Sequence, residues 1–415
     1  MSMPKTSVTA KLTRRLMPLY VAAFFQGFVL FYPIEKIFMQ SIGFDDASIG
    51  LMIASYSALM LLAETPSGIL ADRWSRKGVL ILASLALLCS VVVGGLSDGV
   101  VTYLVCAGLW GLFFAFYSGT YDSIVYDTIY EETGTSRGYE TYLGRVKAVD
   151  SAALIVSGLV GGLIANYLGL RYAYFLSAPF TLLSIAALLA FKEPKLHKLD
   201  VSAPLLQHIK DTFGAVLQKG QLRPVIVVLV TATVSTYTLI EFSQLWYIAL
   251  ALPVFAFGPL HGVLMAMLGV GGLIASRVKL QDSRVRAVFL LVFVGSSLGL
   301  VFFRGIAFLT IVSISVFCVC LICLNVLFTK LLQDSLSSKI RAGASSAVNT
   351  LSRSIIVPLS LLFGYVSRES SIFDAAKILA GLAIVVGFFI VVTYTTKRSD
   401  GKHRPSLPSS EEFVR

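Results

Sequence analysis

The feature that most constrains this chain is a repeated one: an apolar run of roughly twenty residues recurs along it, separated each time by a short polar break. A helix rising ~1.5 Å per residue needs about twenty residues to cross a ~30 Å hydrocarbon layer. Backbone inside lipid must satisfy its own hydrogen bonds, so the choice is between helices and a closed barrel. Barrel strands would alternate polar and apolar over about ten residues; these runs do not alternate. Twelve spans are read, at about 15–39, 48–71, 78–97, 100–130, 141–166, 170–191, 223–249, 256–276, 285–303, 306–332, 341–366 and 373–396. Composition agrees: 56% of the 415 residues are apolar and 14% charged, with a mean hydropathy of +0.81. Soluble domains run nearer a quarter charged, and a soluble chain this apolar would expose aggregating patches. The expected fold class is therefore all-α, integral to the membrane.

Charge orients the spans. The net charge is +11, and all but six of the 34 Lys and Arg fall in the terminal segments and the alternate loops that share their side. The exceptions are Arg171, Arg304, Arg368 and Lys377 at the other side, and Lys36 and Arg353 within spans. Positive residues collect on the cytoplasmic face, so both termini are expected there, in a multi-pass plasma-membrane protein. Short loops and the lack of an N-x-[ST] sequon fit a bacterial inner membrane. No basic segment is interleaved with exposed aromatics, so nucleic acid is not an expected partner. The first apolar stretch is followed by Pro33, Glu35 and Lys36 rather than a small-residue cleavage site, and is expected to remain as a span.

The spans divide six and six around the longest loop, which gives four segments: 1–191, a central loop 192–222, 223–396, and a tail 397–415. In that loop Leu205, Leu206, Ile209, Phe213, Val216 and Leu217 recur at helical spacing, which predicts an amphipathic interfacial helix over 203–219. Landmarks of the two halves repeat at a nearly constant offset of about 205 residues: Glu35 with Glu241, Gly68 with Gly272, Asp127 with Asp334, Asp150 with Arg353, and Gly162 with Gly364.

Between spans 2 and 3 stands Gly68-Ile-Leu-Ala-Asp72-Arg73-Trp74-Ser75-Arg76-Lys77. This resembles the signature G-x-x-x-D-[RK]-x-G-[RK]-[RK] of the major facilitator superfamily, matching at Gly68, Asp72, Arg73, Arg76 and Lys77 and departing at Ser75. Twelve spans in two halves with a long central loop extend the resemblance over the chain. It implies two pseudo-symmetric six-helix bundles around a central cavity. It also implies a latch that closes the cytoplasmic side against spans 4 and 11, with Arg76 meeting Asp127. Gly68 is expected to let neighbouring helices approach closely. In span 5, Ser157-Gly158-Leu159-Val160-Gly161-Gly162 resembles the Gly-Pro-x-x-Gly-Gly core of the drug/proton antiporter branch, with the glycine pair kept and the proline absent. The span 4 arginine of many proton antiporters has no counterpart; Ala115 or a near neighbour stands there.

Ionisable groups inside spans cost at least ~2.5–3.5 kcal/mol to insert and mark pathways, proton sites or ion pairs. Here they are Glu35 and Lys36, Asp122, Asp150, Glu241 and Arg353. Asp122 is the first choice for a proton-coupling carboxylate, expected to be partly desolvated, with Glu35, Asp150 and Glu241 as further candidates. In the family, spans 1, 4, 7 and 10 line the cavity. That implies a lining of Phe24, Phe28 and Phe31 from span 1, Tyr117 and Tyr121 from span 4, Tyr237 and Gln244 from span 7, and Asn325 from span 10, with Arg353 deep in span 11. Aromatic walls with a few acids suit an amphipathic or cationic small molecule.

No G-x-x-x-x-G-K-[ST] or H-E-x-x-H occurs, and Gly269-Val-Gly271-Gly272 lies inside an apolar run rather than after a strand. Neither enzyme activity nor a cofactor is expected. Cys89, Cys106 and the cluster Cys318, Cys320, Cys323 read as small buried packing residues, with no metal site. The expected function is secondary active transport by alternating access in a monomer. Proton-coupled export of an amphipathic, drug-like or metabolite substrate is the first reading. Uptake or exchange of a small polar solute is the alternative, and a transport-inactive sensor the third.

Overall fold

The computed structural model describes residues 5–135, 138–194, 222–336 and 338–400, and among them every regular element is helical. Span 1 is Lys5–Gln26, a short 3-10 turn at Tyr32–Ile34, and Glu35–Ser41. Span 2 is Asp46–Arg73, span 3 Arg76–Leu96, span 4 Val100–Tyr117 with Thr120–Thr133, span 5 Tyr139–Tyr167, and span 6 Leu170–Phe175 with Ser177–Ala190. The second half holds Arg223–Ala249, Val254–Ala275, Ser283–Phe302, Ala307–Asp334, Ser338–Glu369 and Ile372–Asp400 as spans 7 to 12. Spans 2 to 12 are long and apolar enough to cross a membrane; the divided first span completes twelve. The central segment expected to form an amphipathic helix lies outside the described residues, as does the tail beyond residue 400.

Helix ends follow local chemistry. Asp45 accepts a bond from the Ser48 backbone N–H at 2.8 Å and Ser48 reciprocates to the Asp45 backbone at 3.0 Å, a capping box that starts span 2. Ser75 caps span 3 by accepting from Gly78 N–H at 2.8 Å. The basic leader, expected to precede span 1, is helical from Lys5. Arg15 reaches Glu132 at 2.6 Å and Glu131 at 2.8 Å, and Lys11 reaches Glu132 at 2.9 Å, which docks it on the end of span 4.

Three spans read as continuous are divided: in span 6 only Leu176 separates the two helices, and the breaks in spans 1 and 4 have a residue-level cause. In span 1, Pro33 has no N–H to give to Val29, and the helix opens between Gly27 and Phe31. The opened backbone is re-satisfied: Leu30 N–H donates to Ser177 Oγ at 3.0 Å. In span 4, Ser118 is extended and Gly119 takes φ +75°, a conformation that favours glycine.

The halves meet along few helices. Span 2 packs on span 11, span 5 on span 8, and the far part of span 1 on spans 7 and 8. The first two seams are related by the repeat and both are built on glycine. A Cβ on Gly364 would fall 2.9 Å from Gly50 Cα, and one on Gly162 would fall 2.9 Å from Gly258 N. Only glycine lets the backbones approach so closely. Gly161 does the same toward the opened segment of span 1, where a Cβ would overlap the Leu30 carbonyl.

Candidate functional site

The helix ends fall in two sets, one basic (around Arg73, Arg76 and Lys77) and one at the Asp45 turn. The inter-half contacts lie from the Asp45 end down to the level of Glu64 and Arg353. Asp45 pairs with Arg368 at 3.5 Å, Asp46 accepts from Ser367 Oγ, and Arg353 lies 3.7 Å from Glu64. Between the halves, beside these contacts, is a cavity of about 250 Å³ lined by Tyr32, Tyr56, Trp110, Phe113, Phe114, Tyr117 and Tyr237, with Gln26, Asp150 and Glu241 as polar groups. A second cavity of about 410 Å³ continues it through shared Phe114, Tyr117, Asp150 and Tyr237 toward Asp122, Lys147 and Arg353. Asp122 and Lys147 at its rim are 43% and 64% exposed, so the space opens toward the basic end.

Of the residues named from the sequence, Tyr117 and Tyr237 line both cavities and Tyr121 and Arg353 the second. The Phe stripe of span 1 does not. Phe28 stacks on Phe180 at 4.5 Å with Phe24 edge-on to it, and buried Phe31 stacks on Tyr174 at 4.3 Å. The opening of the helix at Gly27 ends the i, i+4 register that aligned these rings, and Gln26, Gly27, Val29 and Tyr32 face the cavity instead. Gln244 holds the opened segment, donating to Tyr32 O at 2.8 Å and accepting from Lys36 N–H at 2.9 Å. Asn325 joins span 10 to span 7 through Thr233 Oγ1 at 2.8 Å. Neither lines the cavities.

The expected desolvation of Asp122 is not found. The span 4 break puts it in the first turn of Thr120–Thr133, where it pairs with Lys147 at 3.3 Å. Asp150, half-buried, is the carboxylate that faces the space between the halves. It lines both cavities, its carbonyl and Oδ1 sit against Gly27, and among the described residues no bond or ion pair reaches its side chain. Glu35 and Glu241, the further proton-coupling candidates near span ends, are both 7% exposed. They flank Lys36, itself 1% exposed, whose Nζ bonds Glu35 and lies 3.3 Å from Glu241. Tyr103 donates to Glu35 at 2.9 Å and Tyr32 to Glu241 at 3.3 Å. Sequence reasoning gave Lys36 no role; the adjacent Glu-Lys pair inside a span was the available signal, since a buried charge needs partners.

At the basic end, Arg76 contacts Asp127, as the resemblance implies, and Asp72 at 3.3 Å. Among the described residues no ion pair joins Asp72, Arg73, Arg76 or Lys77 to the second half. Lys77 donates instead to the carbonyls of Leu189 and Phe191, both at 2.7 Å. Gly68 is not a close-approach glycine here: it is exposed and a Cβ on it would meet open space. Of the cysteines, Cys89 is exposed, against expectation, and the other four are buried; among the described residues no group of His, Cys, Asp and Glu could hold a metal.

The model of the Major Facilitator Superfamily matches residues 16–360. Multidrug resistance protein 2 of Bacillus subtilis is 27% identical over 161 residues, 39% of this chain and 38% of that protein, well under two thirds of its length. Multidrug resistance protein MdtG of Salmonella typhi is 22% identical over 281 residues, 66% of this chain and 68% of that one. Among solved structures, the nucleoside transporter NupG superposes with a TM-score of 0.70 at 15% identity, covering 92% of this chain and 99% of its own; at that identity the likeness is one of fold. Twelve spans, paired halves and a cavity between them agree with the family match, and the chain belongs to the Major Facilitator Superfamily.

Proposed function

We propose that the protein is a secondary active transporter that exports amphipathic organic cations in exchange for protons, by alternating access. The carrying observation is the cavity between the halves, walled by aromatic rings and lined by Glu241 and by Asp150, whose side chain no bond or ion pair reaches among the described residues. Ring faces attract cations and apolar bodies together. The cost of a lone carboxylate in such a place is relieved by a proton or by a bound cation. Two occupants that compete for one carboxylate give exchange without a further device. Taking the basic end as cytoplasmic, the described state receives substrate from inside. Two relatives named for multidrug resistance support a drug-like substrate.

The test is transport of tetraphenylphosphonium by the purified protein in proteoliposomes. An acid-inside gradient is expected to drive its accumulation in the vesicles, and an ionophore that collapses the gradient is expected to abolish it. Flux no greater than in protein-free vesicles overturns the reading. Accumulation driven by the opposite gradient replaces export with proton-coupled uptake.

A further inference from the structure

The cluster at the seal between the halves is unbalanced. Glu35, Lys36 and Glu241 are each at least nine-tenths buried, and two carboxylates share one ammonium. The sharing is unequal. Glu35 has the close contact to Lys36 and a 2.9 Å bond from Tyr103, itself bonded to Tyr174 at 2.7 Å. Among the described residues the bonds to Glu241 are long, 3.3 Å from Lys36 on one oxygen and 3.3 Å from Tyr32 on the other, with the Tyr56 hydroxyl also beside it. Lys36 belongs to Glu35 on its own span and is borrowed by span 7 of the other half. Glu241 is also the member of the cluster that lines the cavity, with Tyr32 and Tyr237 beside it. The residual negative charge therefore faces the ligand space, and the same contact that neutralises it ties the halves together.

We infer that Glu241 is a cation site with an exchangeable occupant: Lys36 when the cavity is empty, an organic cation when it is loaded. Loading returns Lys36 wholly to Glu35 and removes the ion pair between spans 1 and 7, which frees the Asp45 end to open. An ammonium or phosphonium resting on the rings of Tyr32 and Tyr237 takes its place by charge and cation–π attraction. This rests on the organic-cation reading above and adds to it the residue that reports occupancy to the seal.

Two neighbouring variants move affinity in opposite directions, which loss of folding does not do. Glu35→Gln leaves Lys36 with Glu241 alone and is expected to weaken tetraphenylphosphonium binding to the purified protein. Lys36→Met combined with Glu35→Gln leaves Glu241 without a competitor and is expected to tighten it, each by about tenfold. Opening is read from spin labels on Ser41→Cys and Ser370→Cys, exposed positions on either side of the seal, in a Cys89→Ser background. Saturating tetraphenylphosphonium should lengthen the distance in the parent protein, and the double variant should show the longer distance without ligand. Binding by the parent that neither variant changes, or a distance indifferent to both, overturns the exchange and leaves the organic-cation reading standing. No binding by the parent or any variant overturns both.

Discussion

The two ends of the molecule hold their charges in different ways. At the Asp45 end the halves touch through glycine backbones, and an ammonium and two carboxylates are sealed between them. At the basic end a denser set of charges, Asp72, Arg73, Arg76, Lys77 and Asp127, stays within the first half and in part exposed. Buried charge needs fixed partners and so binds elements together, whereas charge at a wet end is screened and contributes little until an approaching surface excludes water. The first end therefore defines the described state, and the second holds groups that gain weight only when that end closes.

The largest expected effect comes from the glycine seams. Gly258→Leu or Gly364→Leu should destabilise the described state by about 1–3 kcal/mol through overpacking. Thermal melting measures the loss, and greater labelling of Ser41→Cys shows that the Asp45 end has loosened. Equal effects from the two variants support the repeat-related seams; an effect at one alone breaks the equivalence. Next come the carboxylates. Asp150→Asn should abolish pH-driven accumulation while equilibrium binding stays within about tenfold of the parent. Asp122→Asn removes only an exposed pair, worth about 0.2–1 kcal/mol, and should keep uphill transport. The reverse ranking in the proteoliposome assay would return the coupling role to Asp122.

A smaller effect is expected at the basic end. Asp72→Asn should leave melting of the described state unchanged, since the Asp72 side chain is 48% exposed. It should slow transport and raise cysteine labelling near Arg73 during turnover; unchanged turnover and labelling would remove the latch. The smallest concerns Asp45, at the turn between spans. Bonds from the Ser48 hydroxyl and backbone, aided by Arg368, hold its carboxyl below the ordinary carboxylate value. A depressed value means its contribution is complete above the ordinary range and is lost as pH falls through the lowered one. Asp45→Asn keeps the cap and should change melting at neutral pH by well under about 1 kcal/mol, and it should flatten the acid limb of a melting-versus-pH curve.

The sequence by itself determined the number of spans, their division into six and six, the family signature and the likeness of the halves, because each is carried by hydrophobic length, charge bias or spacing along the chain. It also named the pairing of Arg76 with Asp127 and the glycines of span 5 that pack closely. Only the tertiary structure decided which faces look inward. The opening at Gly27 took Phe28 and Phe31 off the stripe that Phe24 begins and brought Val29 and Tyr32 to the cavity, and the turn at Gly119 left Asp122 partly exposed. A single break rotates every residue beyond it, so helical periodicity stops reporting the face. Depth in the membrane was equally indeterminate for Glu35 and Glu241. Whether a carboxylate near a span end reaches water or is enclosed depends on what packs over it, and here that cover is the other half of the chain, some two hundred residues away, where Glu241 meets Lys36.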